Sequence, residues 1–153
     1  IEGFEMKIYL AGPLFSQAER DWQVELKEAI FELAIEKRKS VEIILPFELI
    51  DDKVAKEMGA KAKYFIAKNC LEQLVKADMV VANLDGSQVD DGTAWEIGYY
   101  HALYGNKNII GIRTDSRNAG ETRESTVNAM IEFSCSAIAR DIDELQKLLG
   151  KFF

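Results

Sequence analysis

Five short apolar runs alternate with helical patterns along this chain, and that alternation limits the possible folds more than any other feature. The runs are Met6–Ala11, Val41–Leu45, Met79–Leu84, Asn108–Arg113 and Cys135–Ala139. The first ends at Gly12-Pro13 and the second at Pro46, both turn signals. Between the first two, Trp22, Leu26, Ile30 and Leu33 repeat at helical spacing, which predicts a helix over 17–39 whose basic C-terminal end is Glu36-Lys-Arg-Lys39. A second helix is expected over 60–76, burying Phe65, Leu71, Leu74 and Val75. A third is expected over 93–104, with Gly105-Asn106 as its cap. A short helix near 125–132 and an amphipathic one over 141–149, capped by Asp141, complete the pattern. Segments 47–59, 85–92 and 114–124 read as irregular loops.

Strands alternating with helices imply a parallel sheet covered on both faces. The expected fold is therefore α/β, a doubly wound five-stranded sheet in the flavodoxin-like (Rossmann-like) order 2-1-3-4-5. In that order the functional crevice lies at the carboxyl ends of strands 1 and 3. The loops leaving those strands are Gly12–Phe15 and Asp85–Gly92. Residues 6–153 read as one domain, with no internal repeat or linker. Residues 1–5, ahead of Met6, are set aside as an expression scar.

Composition narrows the partners. A net charge of −7 argues against a nucleic-acid partner, because phosphate binding needs clustered Lys and Arg. No apolar run is long enough to span a bilayer, so no membrane partner is expected. Cys70 and Cys135 are too few for a disulfide scaffold and point to a reducing compartment, the cytoplasm by default. His101 is the only histidine, which leaves no His-based zinc site and no metal expectation. No Gly-x-x-x-x-Gly-Lys phosphate loop occurs, and no cofactor is expected.

The densest polar cluster runs from Asp85 to Glu96, DGSQVDDGTAWE. Thr93 and Glu96 have the spacing of a capping box, Thr-x-x-Glu. The competing reading turns Glu96 toward the crevice. There the first helical turn would favour its anion by roughly 0.3–1 kcal/mol and keep it ready to attack an electrophilic carbon. Arg113, Asp115 and Arg117 follow strand 4 and either line the pocket or pair with one another.

Three segments in order along the chain carry a resemblance: IYLAGPLF (8–15), ADMVVANLD (77–85) leading into DDGTAWEIGY (90–99), and VNAM (127–130). With them the chain resembles the nucleoside 2-deoxyribosyltransferase family from Lys7 nearly to its C-terminus. The resemblance implies that Glu96 is the nucleophile at C1′ of the sugar and that the Tyr9 hydroxyl positions it. Asp90 then matches the acid that binds the deoxyribose 5′-hydroxyl. Asn128 matches a residue reaching the same hydroxyl from a neighbouring subunit, so a homo-oligomer is implied. Phe15 and Leu14, on the loop that begins at Gly12, match residues beside the base. The implied partners are small-molecule deoxynucleosides and nucleobases.

One position departs from the pattern. Many members carry an aspartate eight residues before the acid at Asp78, where it handles the base's proton. This chain has Cys70 there, with Asn69 beside it. A thiol is a weak hydrogen-bond partner, which leaves Asn69, Asp85 or water for that task; the other reading of Cys70 is a small buried side chain on the second helix. Two other functions fit the same scaffold. One is a deoxynucleoside 5′-monophosphate N-glycosidase, whose branch tends to place serine at the positions of Asp90 and Asn128. The other is a non-catalytic nucleotide-binding or signalling module.

Overall fold

The computed structural model describes residues 3–153. The expectation about residues 1–5 lies partly outside that range. Within it, the Glu5 backbone N–H donates to the Ser40 carbonyl at 3.0 Å, and the Glu5 carboxylate accepts from Ser40 N–H at 3.1 Å.

Strands β1 (Met6–Ala11), β2 (Val41–Ile44), β3 (Met79–Asn83), β4 (Ile109–Ile112) and β5 (Ala137–Ala139) form one sheet, ordered β2-β1-β3-β4-β5. All four pairings are parallel, with Tyr9 opposite Ile44 on one side and Val80 on the other. This is the flavodoxin-like order expected from the alternating pattern. Helices α1 (Gln17–Glu36), α2 (Asp52–Met58), α3 (Ala62–Lys76), α4 (Asp91–Tyr104), α5 (Ala129–Ser134) and α6 (Ile142–Leu149) cover it.

The period-2 alternation of a strand divides the core into two layers. Ile8, Leu10, Met79, Val81, Ile110 and Ile112 pack against Leu26, Ile30 and Leu33 of α1 and Leu145 and Leu149 of α6. Tyr9, Ala11, Val80, Ala82 and Ile109 face the other way, against Leu74 of α3 and Ile97 and Tyr100 of α4. Both faces of β1 and β3 are thus buried, as their apolar sequences require.

Several boundaries and one element differ from the expectations. Segment 47–59 is not irregular: a 3₁₀ turn over Pro46–Glu48 leads to α2, whose N-cap Asp51 accepts from Lys53 N–H at 2.8 Å. No residue of α2 is buried, so it has no apolar stripe for periodicity to detect. In α3 only Leu74 is fully buried; Leu71 and Val75 are half-buried and Phe65 is exposed. Helix α1 stops at Glu36, and Arg38, with φ of 55°, turns the chain toward β2, so Arg38 and Lys39 lie beyond the helix. Helix α5 starts after Asn128 rather than at Ser125, because Asn128 is its cap. Among the described residues no helix is long and apolar enough to cross a membrane.

Candidate active site

Strand alternation aims Tyr9 at the α3 and α4 side of the sheet. There its hydroxyl donates to Oε2 of Glu96. Tyr9 is fully buried, and Glu96 is half-buried at the open end of the contact. Cys70, on α3, faces the same pair, close enough to Tyr9 and Glu96 to interact with both. Oε1 of Glu96 has no hydrogen-bond partner among the described residues.

Helix α4 begins two residues before the expected Thr93, and this removes the capping-box reading of Glu96. Asp90 is the N-cap: its Oδ2 accepts from Thr93 N–H and from Thr93 Oγ1, both at 3.0 Å. Thr93 is therefore the third residue of the helix, not its cap, and the Thr93–Glu96 capping box does not form. Glu96 falls in the second turn, where the helix dipole has faded. The expected stabilisation of its anion is reversed, because burial pushes the carboxyl up to about 7. The Tyr9 hydrogen bond opposes that rise and the nearby Asp90 carboxylate adds to it. Burial also raises Tyr9 well above the usual phenol range and pushes the Cys70 thiol up, so both carry their protons near neutrality.

The loop after β1 is shaped from beneath. Gln23 of α1 is fully buried, and its amide lies flat under Gly12, where an added Cβ would meet it at 2.6 Å. A side chain at position 12 would have to displace that amide. Ser16 and Glu19 form a reciprocal capping box that starts α1. Arg20 then donates to the carbonyls of Leu14 (3.2 Å) and Phe15 (2.9 Å). Leu14 is half-buried against the α1 side of the core, and Phe15 is 78% exposed. Neither Gln23 nor Arg20 was anticipated; the Ser-x-x-Glu spacing over 16–19 was the available signal.

Asp85 is not free to face the crevice. Its carboxylate accepts from Thr114 N–H (2.6 Å), Thr114 Oγ1 (2.6 Å) and Asp115 N–H (2.9 Å), tying the loop after β3 to the loop after β4. Of the two readings of Arg113, Asp115 and Arg117, mutual pairing holds. Arg117 grips Asp115 at 2.6 Å, Arg113 approaches it at 3.9 Å, and the arginines hold the Asp115 carboxyl well below the usual range. Asn128 is exposed; its Oδ1 accepts from Met130 N–H (2.9 Å) and its Nδ2 donates to Glu121 (2.7 Å). No hydrogen bond among the described residues joins it to Tyr9, Glu96 or Asp90 of the same chain. Asn69 is half-buried on α3 beside Cys70. The described residues contain no cluster of three or more His, Cys, Asp or Glu able to hold a metal ion.

The family model described as nucleoside 2-deoxyribosyltransferase matches residues 8–130, a span containing Tyr9, Cys70, Asp90, Glu96 and Asn128. The chain belongs to the nucleoside 2-deoxyribosyltransferase family. Nucleosides and nucleobases are accordingly its substrate class, and deoxyribosyl transfer its general activity. An uncharacterized protein of Ureaplasma parvum serovar 3 is 29% identical over 158 residues, covering 95% of each chain. A conserved protein from Enterococcus faecalis V583 has a similar structure, with a TM-score of 0.73 at 28% identity, covering 97% of this chain and 99% of that one. The 2-deoxyribosyltransferase from Bacillus psychrosaccharolyticus shares the fold, with a TM-score of 0.71 at 24% identity over 92% of this chain and 90% of that one.

Proposed function

We propose that this protein moves a 2-deoxyribosyl group from one nucleobase to another by double displacement, with Glu96 as the nucleophile. The observation that carries this reading is the partly buried hydrogen bond from Tyr9 to one oxygen of Glu96, with the other oxygen unpartnered among the described residues. A carboxylate held in this way is aimed rather than free to rotate. Its Oε1 attacks C1′ of the deoxyriboside, and the departing base takes the electron pair of the N-glycosidic bond. The transition state has oxocarbenium character, which the anion beneath it stabilises. A ring nitrogen of a second base, or water, then attacks C1′ and breaks the ester bond, freeing Glu96 as the carboxylate. The proton that the incoming group sheds balances the one the departed base takes up on its ring nitrogen. Two inversions give net retention at C1′.

Around that centre, Asp90 has an oxygen not used in capping α4, available to the 5′-hydroxyl. Phe15 and Leu14 border the base. Asn128 acts in a neighbouring subunit of a homo-oligomer. Support for assembly comes from the apolar side chains that α4 and α5 leave uncovered, Trp95 at 58%, Met130 at 73% and Phe133 at 68% exposure.

Incubation with deoxyadenosine and cytosine, followed by chromatography, tests the reading. New deoxycytidine is the expected product. Free adenine alone means a hydrolase, and no change means a binding module. Glu96→Ala should yield neither product while staying folded. With a slow 2-fluoro-2-deoxyarabinosyl nucleoside, mass spectrometry should place the added sugar on Glu96. A label on Asp85 or Asp91, or an active Glu96→Ala protein, overturns the assignment.

A further inference from the structure

We propose that Asp85 is a positioning residue: with Arg113 behind it, it clamps the loop after β3 to the loop after β4 and so holds Glu96 against Tyr9. This builds on the reading of Glu96 as the nucleophile.

The clamp has two struts. In the first, the Asp85 carboxylate takes the three donors from Thr114 and Asp115, while its own backbone N–H donates to Asn83 Oδ1 at 3.0 Å. In the second, the fully buried Arg113 donates from Nη1 to the Leu84 carbonyl and from Nη2 to the Arg117 carbonyl at 2.9 Å. Arg113 is an unusual core residue. Its Nε has no partner, and the Asp115 carboxylate stands 3.9 Å away. A buried charge so weakly paired costs stability that an apolar side chain of similar volume would not. What Arg113 supplies is a rigid fork holding one carbonyl from each loop.

Only four residues, 86–89, separate Asp85 from the Asp90 cap of α4. Gly86 adopts φ of 121°, and a Cβ there would meet the Gln88 carbonyl at 2.9 Å. Val89 packs into the core beside α4, and Asp90 then caps the helix that carries Glu96. Displacement at Asp85 therefore has little slack to absorb it before α4. The groups facing Glu96 are Tyr9 from β1, Cys70 from α3 and Asp90 from the loop before α4. A released loop admits water to this contact. Burial is the larger cause of the raised Glu96 carboxyl, so its loss outweighs the weakened Tyr9 bond and the titration moves down.

Two variants separate positioning from direct chemistry on the base. Asp85→Asn keeps an oxygen for the two backbone donors and offers Thr114 Oγ1 an amide hydrogen, so the clamp can re-form. Asp85→Ala cannot rebuild it. A 13C-carboxyl NMR titration of Glu96 in the full chain, together with kcat/KM for base exchange, reads both. In Asp85→Ala the Glu96 midpoint should fall by about one pH unit and kcat/KM by about tenfold or more, while Asp85→Asn stays near wild type on both. An unmoved Glu96 titration in folded Asp85→Ala overturns the proposal. So does an Asn variant as damaged as the Ala variant, which would mean that the carboxylate itself does the chemistry. If Asp85→Ala does not fold, Thr114→Val removes one donor alone, and a wild-type Glu96 titration in that folded variant overturns it equally. The titration needs no turnover, so failure of the transferase reading would show separately, as absent base exchange in the wild type.

Discussion

The Tyr9 hydroxyl and the Glu96 carboxylate meet across 87 positions of chain, one on a central strand and the other in the second turn of a helix. The contact divides the two Glu96 oxygens, with Oε2 held by Tyr9 and Oε1 open. It also lies where burial disfavours the charge that the proposed chemistry needs. Active sites commonly hold such a group at a cost in stability.

The first prediction follows from that cost. Glu96 must lose its proton to attack, and its carboxyl is raised to about 7. Below that value kcat/KM should climb roughly tenfold per pH unit and then level off above it. Stability should run the other way. The folded state holds this proton more tightly than the unfolded chain, so Glu96 contributes fully below the ordinary value of 4.5, and that contribution is lost as the pH rises through about 7. Glu96→Gln should therefore melt higher than wild type at about pH 8, with the advantage gone near pH 4. A flat activity profile from about pH 5 to 8 would mean that another group governs the reaction.

Tyr9→Phe removes the one hydrogen bond that lowers the Glu96 carboxyl. The rising limb of the pH profile should move to higher pH. Activity near neutrality should drop by about 10- to 100-fold, the worth of a hydrogen bond to a charged group. Steady-state kinetics of the variant across pH checks this, and an unmoved limb counts against the pairing.

Cys70→Ser should keep activity within about tenfold of wild type. Burial keeps the thiol protonated, and a thiol is a weak donor to a ring nitrogen. A loss of about a hundredfold or more, with an unchanged melting curve, would show that Cys70 takes part in catalysis.

Deoxynucleosides should be better substrates than their 5′-monophosphates. The Asp90 carboxylate, proposed to meet the 5′-hydroxyl, would repel a phosphate at the same place. A higher kcat/KM for the monophosphate would instead favour the N-glycosidase alternative.

The active form should be at least a dimer, because among the described residues Asn128 forms no hydrogen bond with its own chain's Tyr9–Glu96 pair, and α4 and α5 expose large apolar side chains. Sedimentation should show an even-numbered assembly, and Asn128→Ala should lose activity while remaining assembled. A fully active monomer rules the arrangement out.

The parallel sheet and its order were legible in the sequence, because strand and helix periods are local properties of the chain. The residues around Glu96 were legible as a motif, but their geometry was not. Thr-x-x-Glu spacing is the same whether the helix starts at Thr93 or earlier, and only the Asp90 cap shows that the box does not form. Helix α2 escaped periodicity because none of its residues is buried, although Asp51 ahead of it was a readable cap.

What the sequence determined by itself is the alternation that builds a parallel sheet and the chemical types available at its carboxyl edge. Tertiary structure alone decided the protonation of Glu96, the engagement of Asp85 and the burial of Arg113. Each depends on desolvation and on partners distant in the chain, from Tyr9 to Glu96 and from Asp85 to Thr114. Local spacing reports only neighbours within a few residues, whereas burial and long-range hydrogen bonds exist only once the strands have paired and the helices have closed over them.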